Sequence, residues 1–157
     1  MKNLSKKLGE AHPVAFVLFL LILLYAILIP FVVLKTKTDL LRFGSGQQAY
    51  FASYNVLIRL FLLLIFAPLI ETALLQWAPI RLLHTKFKVS WPVTIFASAG
   101  IFASVHNYSF GMIIFGFLAG LVLAYGFAAR DDGKGSSFWL VTIVHSLRNV
   151  VPAILLS

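Results

Sequence analysis

Five apolar segments, separated by short polar stretches, make up most of this 157-residue chain. They cover approximately residues 13–34, 50–80, 91–106, 110–129 and 138–156. A helix crosses a bilayer with about 20 residues, at a rise of about 1.5 Å each. In lipid, a helix satisfies every backbone hydrogen bond within its own segment. The pattern therefore predicts an all-α fold, a multi-pass transmembrane bundle of about five helices without a sheet.

The spacing of the segments predicts one membrane domain over residues 1–157. Segment 13–34 is too long for the apolar part of a signal peptide and ends in a polar stretch, so we expect an anchor helix. Pro68 and Pro79 lie inside the second segment, which predicts a tilt or a kink. Residues 107–109 leave a tight polar corner. Such a corner lies at membrane depth only when it is buried in protein or lines a wet cavity.

Composition and charge agree with a membrane protein. Hydrophobic residues make up 61% of the chain and charged residues 11%, too few charges for the surface of a soluble domain. The net charge of +8 does not indicate a nucleic-acid partner, because the basic residues flank apolar segments. With the N-terminus inside, eight count on the inner side (Lys2, Lys6, Lys7, Arg81, Lys86, Lys88, Arg130 and Lys134) against Lys35, Lys37 and Arg42. This excess predicts a cytoplasmic N-terminus in a plasma or inner membrane.

Glu71 is the one acid of five that lies inside an apolar segment. A carboxylate at that depth costs about 3 kcal/mol on insertion scales, which makes it a candidate functional residue. The other strongly polar side chains at comparable depth are those of His106, His145 and Asn149. One acid, two imidazoles and an amide predict a catalytic site.

Helical spacing groups these residues. His145 and Asn149 are four residues apart and share a helix face, and Phe102 and His106 have the same spacing. Gln76 lies one turn beyond Thr72 and is expected to bond to it or to the carboxylate. The supporting residues predicted from these patterns are Thr72, Gln76 and Phe102.

Depth along the helices predicts a mismatch within the site. At the usual rise, Glu71 lies about 15 Å from Arg81 and His106 about 22 Å from Trp91. Straight helices would therefore leave His106 out of register with Glu71, unless a tilt or a late helix start closes the gap. Arg148 has two interpretations, an ion pair with Glu71 or a side chain that extends to the interface. Gly116 and Gly120 predict close helix packing, either inside the bundle or in a dimer.

The set suits hydrolysis by activated water. Glu71 is the candidate base, an imidazole can hold the water, and an imidazole with an amide N–H can stabilise an oxyanion. Three alternatives remain: polar groups that only link helices, a catalytically silent scaffold or immunity protein, and a transporter in which Glu71 carries a proton. Other hydrolase designs are excluded by the sequence. The chain has no cysteine for a nucleophile, no His-Glu-x-x-His zinc motif and no aspartate in an apolar segment for an aspartyl pair. Gly44-Ser45-Gly46 lies in a polar loop, which disfavours a serine nucleophile there.

Zinc is the alternative cofactor, with Glu71, His106 and His145 as three ligands. Against it, an Asn suits oxyanion binding better than zinc ligation, and no carboxylate is left to orient an imidazole. No base would remain once Glu71 bound the metal. We therefore expect a reaction without a metal or another cofactor.

Three segments resemble the signatures of the CPBP family, which contains CAAX prenyl proteases together with bacteriocin-processing and abortive-infection proteins. They are Ala67-Pro68-Leu69-Ile70-Glu71-Thr72, Phe102-x3-His106 and His145-x3-Asn149, in the family's order. The resemblance implies an intramembrane endopeptidase with its catalytic core in residues 50–157. The substrate that the resemblance implies is a peptide or membrane protein within the lipid bilayer.

The resemblance also implies roles for individual residues. Glu71 is the water-activating base with His106 as its partner, and His145 and Asn149 complete the site as the oxyanion-binding pair. The family's first signature reads Glu-Glu-x-x-x-Arg, whereas this chain has Thr72 for the second Glu and Gln76 for the Arg. The substrate is not specified by these motifs.

Overall fold

The computed structural model describes residues 7–37, 53–131 and 135–155. Within these ranges the chain forms helices and no strand, which confirms the predicted all-α fold. The longer helices are α1 (Pro13–Lys37), α2 (Val56–Lys86), α3 (Trp91–Ser104), α4 (Phe110–Ala129) and α5 (Ser136–Leu155). Lys2, Lys6, Arg42, Lys134 and the Gly44-Ser45-Gly46 stretch lie outside the described residues.

Two of the described helices, α2 and α4, are long and apolar enough to cross a membrane. Shorter apolar helices run over Pro13–Ile27 and Trp91–Ser104. Helix α5 is not among them and carries the polar residues His145, Arg148 and Asn149. The outer surface exposes large apolar side chains, as on Ile22 and Leu57, a surface suited to lipid.

Helix α2 passes its two prolines by widening its turns. Regular α-helical hydrogen bonding changes to bonds that span five residues at Leu62–Phe66, Thr72–Trp77 and Arg81–Lys86. Pro68 lies two residues after the first stretch, and Pro79 lies two residues after the second. A proline ring clashes with the carbonyl four residues earlier in a regular helix, and a wider turn relieves that clash. The prolines predicted a kink or tilt, and the helix accommodates them by this change in hydrogen bonding.

Neighbouring helices supply donors to carbonyls that the prolines leave without their usual partner. The Ala67 N–H donates to the Leu62 carbonyl. The next residue, Pro68, has no N–H that could donate to the Leu63 carbonyl. The Asn149 side-chain amide of α5 donates to the Leu63 carbonyl at 3.0 Å. The Ser98 hydroxyl of α3 lies 2.9 Å from the Leu75 carbonyl, four residues before Pro79. In lipid, an unsatisfied carbonyl costs several kcal/mol, so these bonds tie α2 to α3 and α5.

The turn between α2 and α3 places Glu71 and His106 at the same depth. Helix α2 ends at Lys86 rather than at residue 80, so Glu71 lies 15 residues before its end. His106 lies the same 15 residues after the start of α3 at Trp91. The expected mismatch in depth between Glu71 and His106 is wrong. It took Arg81 as the end of the helix, whereas α2 continues to Lys86. The His84 ring stacks on Trp91 at 3.7 Å between centroids and helps to hold this turn.

Helices α3 and α4 approach closely at two glycines of α4. A Cβ atom at Gly120 would lie 3.0 Å from the Ala99 Cα atom and 3.1 Å from the Phe102 Cβ atom. A Cβ atom at Gly116 would lie 3.1 Å from the Cβ atom of His106. The Gly116-x3-Gly120 pattern is therefore used for packing within this chain, as one of its two interpretations predicted.

Polar contacts connect the helix ends at one end of the bundle. Arg81 near the end of α2 forms an ion pair with Asp131 after α4, with 2.7 Å between Nη2 and Oδ1. Arg130 donates to the carbonyl of Ala11, before α1, at 2.7 Å. The start of α1, the end of α2 and the end of α4 therefore share one end, as the grouping of Lys7, Arg81 and Arg130 on one side predicted.

We predict that Gly120→Val destabilises the protein by about 1–3 kcal/mol, because the added atoms meet the backbone of Ala99. Gly100→Val on α3 is the matched control, since a Cβ atom there meets nothing within 4 Å. Reversible unfolding in mixed micelles measures both variants. Equal stability of the two would contradict the close contact between α3 and α4.

Candidate active site

Three of the predicted catalytic side chains meet at one point. The Glu71 Oε2 atom of α2 lies 3.6 Å from Nε2 of His145 on α5. The same oxygen lies 3.8 Å from Nε2 of His106, in the corner between α3 and α4. Both distances exceed that of a direct hydrogen bond.

The Glu71 carboxylate is partly exposed, with 27% of its side chain accessible. Its Oε2 atom is buried and has no hydrogen-bond partner among the described residues. A buried polar atom of this kind calls for a functional explanation. Here the unpartnered oxygen is the one that faces both imidazoles.

The tautomer of His106 follows from its backbone contact. Its Nδ1 atom lies 2.7 Å from the Phe102 carbonyl oxygen, which can only accept, so Nδ1 carries the hydrogen. In the neutral ring, Nε2 is then an acceptor, and this is the nitrogen that faces Glu71. The ring packs beside Gly116 and stacks on Phe102 at 4.6 Å between centroids.

His145 is almost fully buried, with 3% of its side chain exposed. Its Nδ1 atom has no hydrogen-bond partner within the described part of the chain. The Phe102 ring contacts this imidazole as well, at 5.6 Å between centroids. Phe102, predicted as a supporting residue, therefore packs against both histidines.

Asn149 is buried on α5, one turn beyond His145. Its Nδ2 atom donates to the Leu63 carbonyl, and its Oδ1 atom accepts from Arg148 at 2.6 Å. The Arg148 guanidinium also lies over the Phe115 ring, 4.4 Å from its centroid. Its hydrogen bond and its ring contact are therefore with Asn149 and Phe115, and its positive charge also acts on the Glu71 carboxylate.

The remaining supporting residues, Thr72 and Gln76, are both fully buried. Gln76 lies 2.8 Å from the Ser98 hydroxyl and donates to the Gly120 carbonyl at 3.5 Å, whereas we expected it to bond to Thr72 or Glu71. Ser98 was not predicted from the sequence. It lies four residues before Phe102 and eight before His106, so the same helix face was the available signal.

A cleft of about 230 Å³ opens beside the carboxylate. Glu71 and His106 form its polar side, and its other lining residues are Ile70, Leu74, Leu75, Val105 and Tyr108. Tyr108 belongs to the corner at 107–109, so this corner meets the second of its two conditions and lines a cavity. The cleft therefore borders the carboxylate with a mostly apolar lining.

The zinc alternative would use Glu71, His106 and His145 as ligands. Within the described ranges, no group of three or more His, Cys, Asp or Glu side chains is arranged to hold a metal ion. The donor atoms at the centre are the one carboxylate and the two imidazoles described above.

Comparison with known proteins gives one match. Residues 53–151 match the model of a family described as type II CAAX prenyl endopeptidase, Rce1-like. The matched range covers more than half of the chain and contains all the site residues predicted from the sequence. No curated protein and no solved structure gives a match.

Proposed function

The chain belongs to the Rce1-like family of type II CAAX prenyl endopeptidases, an integral membrane protease family, and we propose that it cleaves peptide bonds with water activated by Glu71. The observation that carries the proposal is the position of the Glu71 Oε2 atom, 3.6 and 3.8 Å from the two imidazoles. The carboxylate, two imidazoles and an adjacent cleft are the parts that hydrolysis inside a membrane needs.

In this mechanism, Glu71 and His106 hold the attacking water. A water molecule would donate one hydrogen to the Glu71 carboxylate and the other to Nε2 of His106, through hydrogen bonds of about 2.8 Å. The Nδ1–H bond to Phe102 leaves Nε2 of His106 free to accept the second hydrogen. The water oxygen then attacks the substrate carbonyl carbon while Glu71 takes a proton.

His145 and Asn149 are proposed as the oxyanion-binding pair. The Leu63 carbonyl uses one hydrogen of the Asn149 amide, and the amide has a second. When the tetrahedral intermediate collapses, the C–N bond breaks and the proton held by Glu71 passes to the leaving nitrogen. Water thus adds across the peptide bond without a covalent intermediate on the protein.

The proposed partners are the lipid bilayer and a peptide or membrane-protein substrate, without nucleic acid. The family's description names a CAAX prenyl endopeptidase, and the apolar lining of the cleft suits a lipid-modified peptide. A farnesylated CAAX peptide is therefore the first probe.

The alternative is a catalytically silent scaffold or immunity protein with the same fold. The observation that favours it is Gln76, which replaces a basic residue of the signature and links α3 and α4 through Ser98 and Gly120. A proton transporter that uses Glu71 is a third function class.

We also propose a cytoplasmic N-terminus, since the described basic residues Lys7, Arg81, Lys86, Lys88 and Arg130 lie near one end of the bundle. The chain has no cysteine, so Lys6→Cys provides a single reactive site. An impermeant thiol reagent should not label it in intact cells and should label it after permeabilisation. Labelling in intact cells would contradict this orientation.

We predict that Glu71→Gln reduces cleavage of a farnesylated CAAX peptide by a factor of roughly 100 to 10,000, because the amide cannot accept the proton from water. His106→Ala and His145→Ala should also abolish most turnover. Mass spectrometry of reconstituted protein measures the products. Glu10→Gln is the control, because this other glutamate is exposed and outside the site.

These variants also separate the function classes, provided that each unfolds at the same temperature as the wild type. A scaffold tolerates all three substitutions in its cellular role. A transporter depends on Glu71 but is less sensitive to Asn149→Ala. Either pattern, without peptide cleavage by the wild type, would refute the protease proposal.

We predict that exhaustive chelation leaves cleavage unchanged and that the purified protein holds no stoichiometric zinc. The reason is that Glu71 is needed as the base, and a zinc ion bound to it would leave none. Elemental analysis and activity before and after chelation are the measurements. Loss of activity that zinc alone restores would establish the metal alternative instead.

A further inference from the structure

Arg148 and the Leu63 carbonyl hold the Asn149 side chain from both ends of its amide. The Arg148 Nη1 atom donates to the Asn149 Oδ1 atom at 2.6 Å. The Asn149 Nδ2 atom donates to the Leu63 carbonyl at 3.0 Å. Because Pro68 has no N–H, this carbonyl needs such a donor from another helix.

The chemistry of these two partners allows one orientation of the amide. A guanidinium group can only donate hydrogen bonds, and a carbonyl oxygen can only accept them. Rotation of the amide by half a turn would set its N–H₂ group against the guanidinium and its oxygen against the Leu63 carbonyl. Both bonds would be lost, so the positions of N and O are fixed by chemistry.

The Arg148 side chain is itself held in place. Its guanidinium lies over the Phe115 ring at 4.4 Å. Arg148 also lines a small cavity together with His145 and Phe102, two residues of the candidate site. An intramembrane arginine without a role in substrate contact is costly, which indicates that it acts on its neighbours.

We propose that Arg148 is a positioning residue that orients the Asn149 amide, so that its second N–H is directed to the oxyanion. This inference rests on the proposed function, in which Asn149 binds the oxyanion. With the amide reversed, an oxygen would face the developing negative charge and would raise the barrier. Arg148 should therefore affect turnover through Asn149 and leave substrate binding nearly unchanged.

A double-mutant cycle with a farnesylated CAAX peptide tests this role. We expect Arg148→Met and Asn149→Ala each to lower kcat by about 10- to 100-fold with KM nearly unchanged. The double variant should be no slower than Asn149→Ala, because the proposal assigns the effect of Arg148 to this amide and not to its charge near Glu71. Effects that multiply, or a wild-type kcat in Arg148→Met, would overturn the proposal.

A second measurement does not depend on activity. The chain has four asparagines (Asn3, Asn55, Asn107 and Asn149), so ¹⁵N-asparagine labelling gives four side-chain amide signals, and Asn149→Ala identifies one of them. Arg148→Met should shift the Asn149 signal, whereas Arg59→Met, the same change at another arginine of a membrane helix, should not. An unshifted Asn149 signal would overturn the proposal even if the protein cleaves no peptide.

Two further outcomes are distinguishable. If Arg148→Met does not fold, Arg148→Gln takes its place, because glutamine both donates and accepts and so no longer selects one amide orientation. If the wild type shows the Arg148-dependent Asn149 signal but no turnover, the contact stands and the protease function fails.

Discussion

The close approach of α3 to α4 is the constraint on which the site depends. Gly120 lets the Ala99 backbone come near, and Gly116 makes room for the His106 ring. Phe102 of α3 packs against Gly120, and its ring contacts the imidazoles of His106 and His145. Larger residues at the two glycines would separate the helices and move His106 away from Glu71. The contact between α3 and α4 therefore sets both the packing of the bundle and the geometry of the site.

The prolines of α2 provide a second link between folding and the site. Each removes a backbone donor in a medium where water cannot replace it. Ser98 donates a hydrogen bond to the Leu75 carbonyl, and Asn149 donates one to the Leu63 carbonyl. Because Asn149 is both this donor and a proposed catalytic residue, the helix that carries Glu71 is tied directly to the helix that carries His145. A single substitution at Asn149 therefore affects structure and chemistry together.

Hydropathy and motif spacing predicted the helices and the meeting of Glu71, His106 and His145, and the family match confirms the resemblance on which the roles were based. The end of α2 was misplaced because Arg81 and Lys86 look like the end of an apolar segment, whereas Arg81 pairs with Asp131 and the helix continues. The contacts of Gln76 and Arg148 could not be predicted. They depend on which faces of distant helices meet, and one helix's periodicity does not specify this.

The central claim is that Glu71 activates water and does not attack the substrate itself. Single-turnover cleavage of a farnesylated CAAX peptide in H₂¹⁸O, with protein in excess, tests it most directly. The account predicts ¹⁸O in the new carboxyl group of the product and none in the protein peptide that contains Glu71. Transfer of ¹⁸O into the Glu71 side chain, with ¹⁶O in the product, would contradict it, because that pattern requires a covalent intermediate on the carboxylate.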